Sequence, residues 1–556
     1  MLYKSKLYFN TVKYLKPKQL YYQLVRRCKR SKIPFKIKLS EPVYSLPRLH
    51  IRELDLDSTY LSRFDIKKLM ENRIVILNEE YRLHNGNWNN PKASHLWNFN
   101  LHYMEYLISL AANYYKTGDI ECYYKFKDFI ISWITSNRTF ENDAWQAYTI
   151  SVRIPNWLIC LDLFGEIFDN DFEFRKDVLE SIYVQYQYLL KNQERHLLGN
   201  HYFENLKTIL ICSLCFKDDK TYKKYIKLLK KEIEEQVLED GLHYELSIMY
   251  HKIILEGLLR VAVCLRERKP DEFSFLIPTI QKMVDALASL EKGMGKTPLF
   301  NDAGDGVAKD TQQLVNTSNR LFGIEPQYRD CFAISGYHKL YKGNIAIMFD
   351  TGKLGPDYMP GHGHCDALSF ELSIDEKPVF VNSGTYQYQG ELRNFFRSTE
   401  AHNTLKIGDQ QQSELWGEHR AGRRIYDSAF SVIKGGVLGS YRNYLGNIHQ
   451  RKIFFDCKDR LIIQDKVNVK KEQTIHTYLH LAPGLTVVEK DEGIWICDKQ
   501  NIMICKIGWR GIHKYILHNE GLITSYSQVF GVIANKNVIE FLWSSSQGDT
   551  DFLIEF

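Results

Sequence analysis

The sequence predicts a chain of α+β class in two main parts, helical first and antiparallel β afterwards. Two patterns carry the prediction. Over residues 96–322 apolar side chains recur at three- and four-residue spacing, as on helix faces. From Ile324 onward short alternating or apolar runs are separated by Gly, Asn and Asp turns, as in hairpins. The length, 556 residues, exceeds what one hydrophobic core holds. The expected division is 1–95, a basic arm and loop-rich segment; 96–323, helical; and 324–556, antiparallel β.

Residues 1–95 are weakly patterned. A helix is expected around residues 18–30, and HNGNWNNPK is turn chemistry throughout. LWNFNLHYMEYLISLAANYY then reads as helical and stops at Lys116-Thr117-Gly118-Asp119. ECYYKFKDFIISWITSN, WQAYTISVRIPNWLICLDLFGEIF, VLESIYVQYQYLLKNQ, HYFENLKTILICSLCF, YKKYIKLLKKEIEEQVLED, IILEGLLRVAVCLRE and IPTIQKMVDALASLEK repeat the pattern. Their short links predict sequential antiparallel helices, and the absence of heptads argues against a coiled coil. GNIAIMFDTG, ALSFELSI, KPVFVNSG, RKIFFDCKDRLIIQDKVNV, TIHTYLHLA, GIWICDKQNIMICKIG and VIEFLWSS are strand-like, which predicts stacked antiparallel sheets.

Composition narrows the class. At 44% apolar and 25% charged residues the chain is an ordinary globular protein. Its net charge is only +6, but KPKQLYYQLVRRCKRSKIPFKIK holds nine Lys or Arg and no acid. Nucleic acid, a membrane surface, anionic glycan or plain solvent would each suit that arm. The eleven cysteines are odd in number and scattered, with no disulfide-framework spacing. Cys212 and Cys215 form a CxxC inside the apolar run TILICSLCF, where core packing is the expected role. No uncharged apolar run reaches membrane-spanning length. The first residues lack an apolar signal core, which favours a cytoplasmic location over a periplasmic one.

The chemistry concentrates in residues 358–404, YMPGHGHCDALSFELSIDEKPVFVNSGTYQYQGELRNFFRSTEAHNT. His362, His364, Asp366 and His402 are acid–base or metal-ligand side chains, and Gly361 and Gly363 let backbone approach a ligand. Arg393 and Arg397, four apart, could fork onto carboxylate or sulfate, or form structural pairs. Upstream, Asn200-His201 opens GNHYFEN, where it could also simply cap a helix. Tyr250 lies in EDGLHYELSIMYH and could equally be a buried helix-face ring. Arg153, Tyr148 and Trp157, in AYTISVRIPNW, are further cleft candidates.

The segments GHGHCDALSFEL, GTYQY and RNFFRSTEAHNT occur in the order seen in the heparinase II/III family of polysaccharide lyases, of the alginate lyase-like superfamily, and the chain resembles that family. The resemblance implies an N-terminal α/α toroid, an incomplete helical barrel, followed by a β-sandwich-like domain with the active site between them. It implies β-elimination on an anionic, uronic-acid-containing polysaccharide, in a setting of bacterial surface polysaccharide metabolism, and no nucleic-acid partner. Asn200 and His362 would neutralise the uronate carboxylate, and His201 or Tyr250 would remove the C-5 proton. Tyr250 would protonate the leaving O-4, with Tyr148, Trp157, Arg153, Arg393 and Arg397 binding substrate. His364 and His402 would hold a structural zinc together with position 382. There Asn382 stands where the family often has Asp, and Asn is a poorer zinc ligand, so occupancy stays open, with Asp366 as the substitute carboxylate. The family pattern usually has Pro where this chain has Ile248. Three alternatives remain: a uronate C-5 epimerase; a non-catalytic glycan-binding or assembly protein, motivated by Asn382; and a hydrolase using Glu204, Asp240 or Glu245.

Overall fold

The computed structural model describes residues 2–28, 49–54, 61–84, 86–140 and 142–556. The outer part of the basic arm, residues 29–48, lies outside them. Helices Leu2–Val12 and Pro17–Cys28 lead, the second matching the helix expected there up to residue 28. The segment read as loop-rich contains a small hairpin, Arg73–Ile76 with Glu79–Arg82, turned by Leu77 and Asn78 at positive φ.

The helical part is a double layer. Helices Leu107–Thr117, Ala147–Phe164, Gly199–Cys215 and Ile248–Leu265 neighbour one another in sequence order and form the inner layer. The last three are buried at most positions around their circumference, which is why their sequences read as nearly continuous apolar runs. Ile120–Ser136, Phe172–Lys191 and Asp219–Gln236 cover them and bury a single stripe each, while the fourth cover, Pro270–Glu291, is enclosed all round from Met283 to Leu290. The layer is an open arc; among the described residues no closed barrel forms. One expected helix is two: LWNFNLHYMEYLISLAANYY breaks after Tyr103, because Met104 takes a left-handed φ of 55°.

The β part holds an eight-stranded, a four-stranded and a five-stranded antiparallel sheet. Strand Ile345–Asp350 shows how they join the helices. It is buried at every position. Ile345, Ile347 and Phe349 point into the core shared with Ile463 and Ile554 of the eight-stranded sheet and Phe541 of the four-stranded one. Ala346 and Met348, one residue out of phase, join the helical core. Alternation along one strand thus welds the two halves together, with the five-stranded sheet between helices and the other sheets. Strands Phe370–Ile374 and Lys377–Phe380 pair through the turn Asp375-Glu376, both at positive φ. Among the described residues no helix is long and apolar enough to cross a membrane.

Candidate functional site

The candidate residues from the two halves meet where the inner helices face the loop 358–366. Gly199 makes the meeting close. Its φ is +58°, and an added Cβ would lie 2.3 Å from the Met359 side chain and 2.9 Å from Glu245 Oε1. Only glycine lets the loop and Glu245 close on the start of helix Gly199–Cys215. Asn200 follows in the first turn; its backbone N–H and its Nδ2 both donate to Glu245 Oε1, at 3.2 Å each. His201 points the other way. Its Nδ1 lies 3.3 Å from Glu194 Oε1, and its ring packs on Tyr148 at 4.5 Å. Burial alone would lower the His201 pKa, but Glu194, assisted by Glu245 and Glu204, outweighs it and the net shift is upward.

Tyr250 sits in the first turn of helix Ile248–Leu265, whose Ser247 cap accepts the Tyr250 N–H at 3.3 Å. Ile248 is therefore the first helical position, the one where Pro is also tolerated, so this departure leaves the turn intact. The Tyr250 hydroxyl is 2.9 Å from that of Tyr388, and its ring lies 3.9 Å from the His362 ring. Burial, then Tyr388, Asp302 and Glu245, push its pKa well above the ordinary phenol value. The cations needed to make a resting phenolate do not dominate here, and Tyr250 is a neutral hydroxyl.

The residue that ties the site together is Asp302, which the sequence reading passed over. It is fully buried in the turn-rich loop FNDAGDG, and each of its oxygens is used twice or more. Oδ2 lies 2.8 Å from His362 Nδ1 and accepts from Arg393 Nη2 at 2.7 Å. Oδ1 lies 2.9 Å from His364 Nε2, accepts from Thr385 Oγ1 at 3.2 Å, and also accepts from Arg393 Nη1. The two histidines of the GHGH loop thus converge on one carboxylate. Burial would raise its pKa, yet Arg393 and the histidines hold it well below the usual carboxylate range. His362 Nε2, on the other ring edge, lies 3.6 Å from Glu245 Oε2. A turn-rich loop carrying two acids between the last two helices of the helical part is the available signal for Asp302.

Several expected binders are not at the surface. Arg153 is fully buried in the helical core, where it donates to Gln185 Oε1 and to the carbonyls of His102 and Ala144 and stacks on Trp133. Trp157 is equally enclosed, against Met104 and Trp133. Arg393 is spent on Asp302, and Arg397 on the carbonyls of Gly363, Glu418 and Pro360. These four are buried and engaged by protein partners. Tyr148, half-buried against His201, remains beside the site. The hydrolase candidates are engaged too: Glu204 pairs with Lys207, Asp240 accepts from the N–H groups of Ile334 and Ser335, and Glu245 holds Asn200.

Behind this site lies a buried group able to hold a metal ion. His364, Asp366 and His402 offer ligand atoms within 4.8 Å of one another. His402 Nδ1 is 2.7 Å from the Ser398 carbonyl, so that nitrogen carries the proton; His364 Nε2 faces Asp302 in the same sense. Each outer partner leaves the inner nitrogen bare, and the inner nitrogens, His364 Nδ1 and His402 Nε2, are 3.2 Å apart. Two lone pairs facing each other beside a carboxylate suit a cation. Asn382 is engaged by neighbouring protein groups. Its Oδ1 accepts from Ser369 Oγ and the Asn403 N–H, and Asp366 is the carboxylate beside the two histidines.

Similarity to known proteins agrees with this plan. Residues 66–329 match the family described as heparinase II/III N-terminus, and residues 326–516 that described as heparinase II/III-like, C-terminal. A heparin-sulfate lyase of Pedobacter heparinus is 24% identical over 66% of this chain, a match spanning 59% of the relative's own length. Another heparin-sulfate lyase, of Bacteroides thetaiotaomicron, is 22% identical over 83% of this chain and 70% of its own. The solved heparinase III structure superimposes with a TM-score of 0.71 at 17% identity, covering 96% of this chain and 88% of that one. A crystal structure of a heparan sulfate lyase from Pedobacter heparinus gives 0.58 at 18% identity, over 96% and 87%. With matches running from the helical arc through the GHGH loop into the sheets, the chain belongs to the heparinase II/III family.

Proposed function

We propose that the protein is a polysaccharide lyase that cleaves a uronic-acid-containing chain by β-elimination. The observation that carries this reading is the neutral Tyr250 hydroxyl, held between Tyr388 and the His362 ring and across from Asn200 and Glu245. Elimination needs a base for the C-5 proton, stabilisation of the adjacent carboxylate as charge builds on it, and an acid for the departing O-4. His201 serves as base, since the anions around it raise its pKa above the ordinary imidazole value and make it a stronger proton acceptor. Asn200, oriented by Glu245, offers its remaining amide N–H to the carboxylate, with His362 beside it. Tyr250 gives its proton to O-4 and leaves as phenolate, which Tyr388 then stabilises by hydrogen bonding. Water is not consumed, and the product ends in an unsaturated uronate.

The direct test follows ultraviolet absorbance while the protein is incubated with a panel of uronate polysaccharides, heparan sulfate and alginate included. A rise from the conjugated product is expected; proton exchange at C-5 without a rise would instead indicate an epimerase. The binding-protein alternative predicts glycan affinity with neither signal.

The assignment of the base has its own test. Glu194→Gln removes the main anion beside His201 and lowers its pKa. The acidic limb of the kcat/KM profile then moves to lower pH; an unmoved limb would reassign the base.

Zinc, held by His364, Asp366 and His402, would cross-link the GHGH loop to the segment around residue 400 and supply a fixed positive charge in the core. Elemental analysis is expected to find one zinc per chain. Chelation, or His402→Ala, is expected to lower the melting temperature by several degrees. A metal-free protein that melts at the same temperature would refute the site.

A further inference from the structure

Helices Leu2–Val12 and Pro17–Cys28 are docked on one side and open on the other. On the inner side Leu7 and Gln19 are buried, and the hydroxyl of Thr11 bonds the Ala421 carbonyl and the Trp416 indole. Gln19 Nε2 donates to the carbonyls of Tyr358, His196 and Leu197 at 3.3–3.5 Å. Lys16 pairs with Glu235 and sits 3.9 Å over the Tyr358 ring. The helices therefore have fixed seats on both halves of the protein, next to the segments that carry Asn200 and His362.

The exposed positions of both helices mix large apolar side chains with cations. Phe9 is 69% exposed, Leu24 61%, Tyr21 60% and Val12 44%. At helical spacing Lys6 and Lys13 flank Phe9 and Val12, and Arg27 follows Leu24; all three cations are exposed, while Lys18, also exposed, lies 3.7 Å from Glu232. The sequence adds a charge argument. Residues 1–40 contain twelve Lys or Arg and no Asp or Glu; taking these from the chain's +6 leaves −6 for the remainder. The positive charge of this protein is thus a property of one end.

We propose that these two helices bind an anionic lipid surface, with Phe9, Val12, Leu20, Tyr21 and Leu24 entering the headgroup boundary and the cations meeting lipid phosphates. A nucleic acid or anionic glycan would reward the cations and the rings. It would give nothing for exposed Leu and Val, which gain only by leaving water. The seats of the helices then hold the catalytic segments at a set distance from the membrane. This surface does not depend on the reaction proposed above.

The test is sedimentation of the full chain with vesicles of phosphatidylcholine, alone or mixed with phosphatidylglycerol. Binding is expected to the anionic vesicles, about tenfold or more weaker to the neutral ones, and to fall with added salt. Two variants read the two parts of the surface: Phe9→Ser with Tyr21→Ser and Leu24→Ser, and Lys6→Glu with Lys13→Glu and Arg27→Glu. Each is expected to lose about tenfold in vesicle affinity while keeping the wild-type melting curve and any lyase turnover. Absence of vesicle binding overturns the proposal, as does full binding by the serine variant. Retention of heparin or single-stranded DNA by the wild type but not the glutamate variant, without vesicle binding, would assign the surface to a different polyanion.

Discussion

Tyr250→Phe is expected to lower kcat by two to four orders of magnitude on any polysaccharide the protein cleaves, and to leave KM within a few-fold. The argument is geometric first. Tyr250 is 7% exposed, and its hydroxyl is one of two phenols at the meeting of both halves of the protein. Its ring is fixed by the His362 ring at 3.9 Å, so phenylalanine keeps the packing and deletes only the proton donor. The stability cost should be small, about 1 kcal/mol for one lost hydrogen bond. Tyr388→Phe separates donor from helper. Tyr388 lies under the Arg393 guanidinium and orients the Tyr250 hydroxyl, so its loss should cost far less than that of Tyr250. If Tyr388→Phe is the deeper defect, the acid is Tyr388. If Tyr250→Phe retains activity within tenfold, neither the acid nor the proposed elimination geometry survives.

What could be read in the sequence, and what could not, follows from the range over which each feature is determined. The change from helix to sheet is local, because it rests on the spacing of apolar residues, and it was legible. His362, His364 and Tyr250 stand out because their motifs are contiguous, and the structure sets the His362 and Tyr250 rings 3.9 Å apart and both histidines on Asp302. The arginines were legible as residue types and misread as to use. Arg393 and Arg397 look alike at four-residue spacing, yet one meets a carboxylate 91 positions away and the other only carbonyl oxygens. Arg153 and Trp157 sit in a helix buried nearly all round, and an inner helix of a double layer has no sequence mark that tells its cleft side from its core side. Asn382 was placed with the metal by its position before SGTY. The side chain turns instead to Ser369 and Asn403, a choice settled by neighbours from two other segments. Asp302 escaped for the same reason: its partners come from positions 362, 364, 385 and 393, and no spacing rule connects them.

Asp302→Asn is expected to be the most destabilising single substitution in the site, by about 3–5 kcal/mol, and to abolish activity with it. The carboxylate accepts from Arg393 twice, from Thr385, and faces both histidines, all out of water. Asparagine keeps one acceptor and turns the other oxygen into a donor aimed at donors. Arg393, itself fully buried, is left without its counter-charge, and that uncompensated charge is the larger part of the cost. A second substitution tests this reasoning. In the double variant Asp302→Asn with Arg393→Met the stranded charge is gone, so stability should recover part of the loss although a further native contact has been removed. Activity should not recover, because His362 still lacks the partner that fixes its ring. The pH dependence has a definite sign. The folded-state pKa of Asp302 is depressed, so its contribution is complete above the unfolded value of about 4 and is lost as pH falls through the folded value. The gap in stability between wild type and Asp302→Asn should therefore be constant from neutrality down to about pH 4 and narrow only below it. A loss under about 1 kcal/mol at neutral pH would mean that Arg393 finds other acceptors, and that Asp302 is not the tie between the two halves of the site.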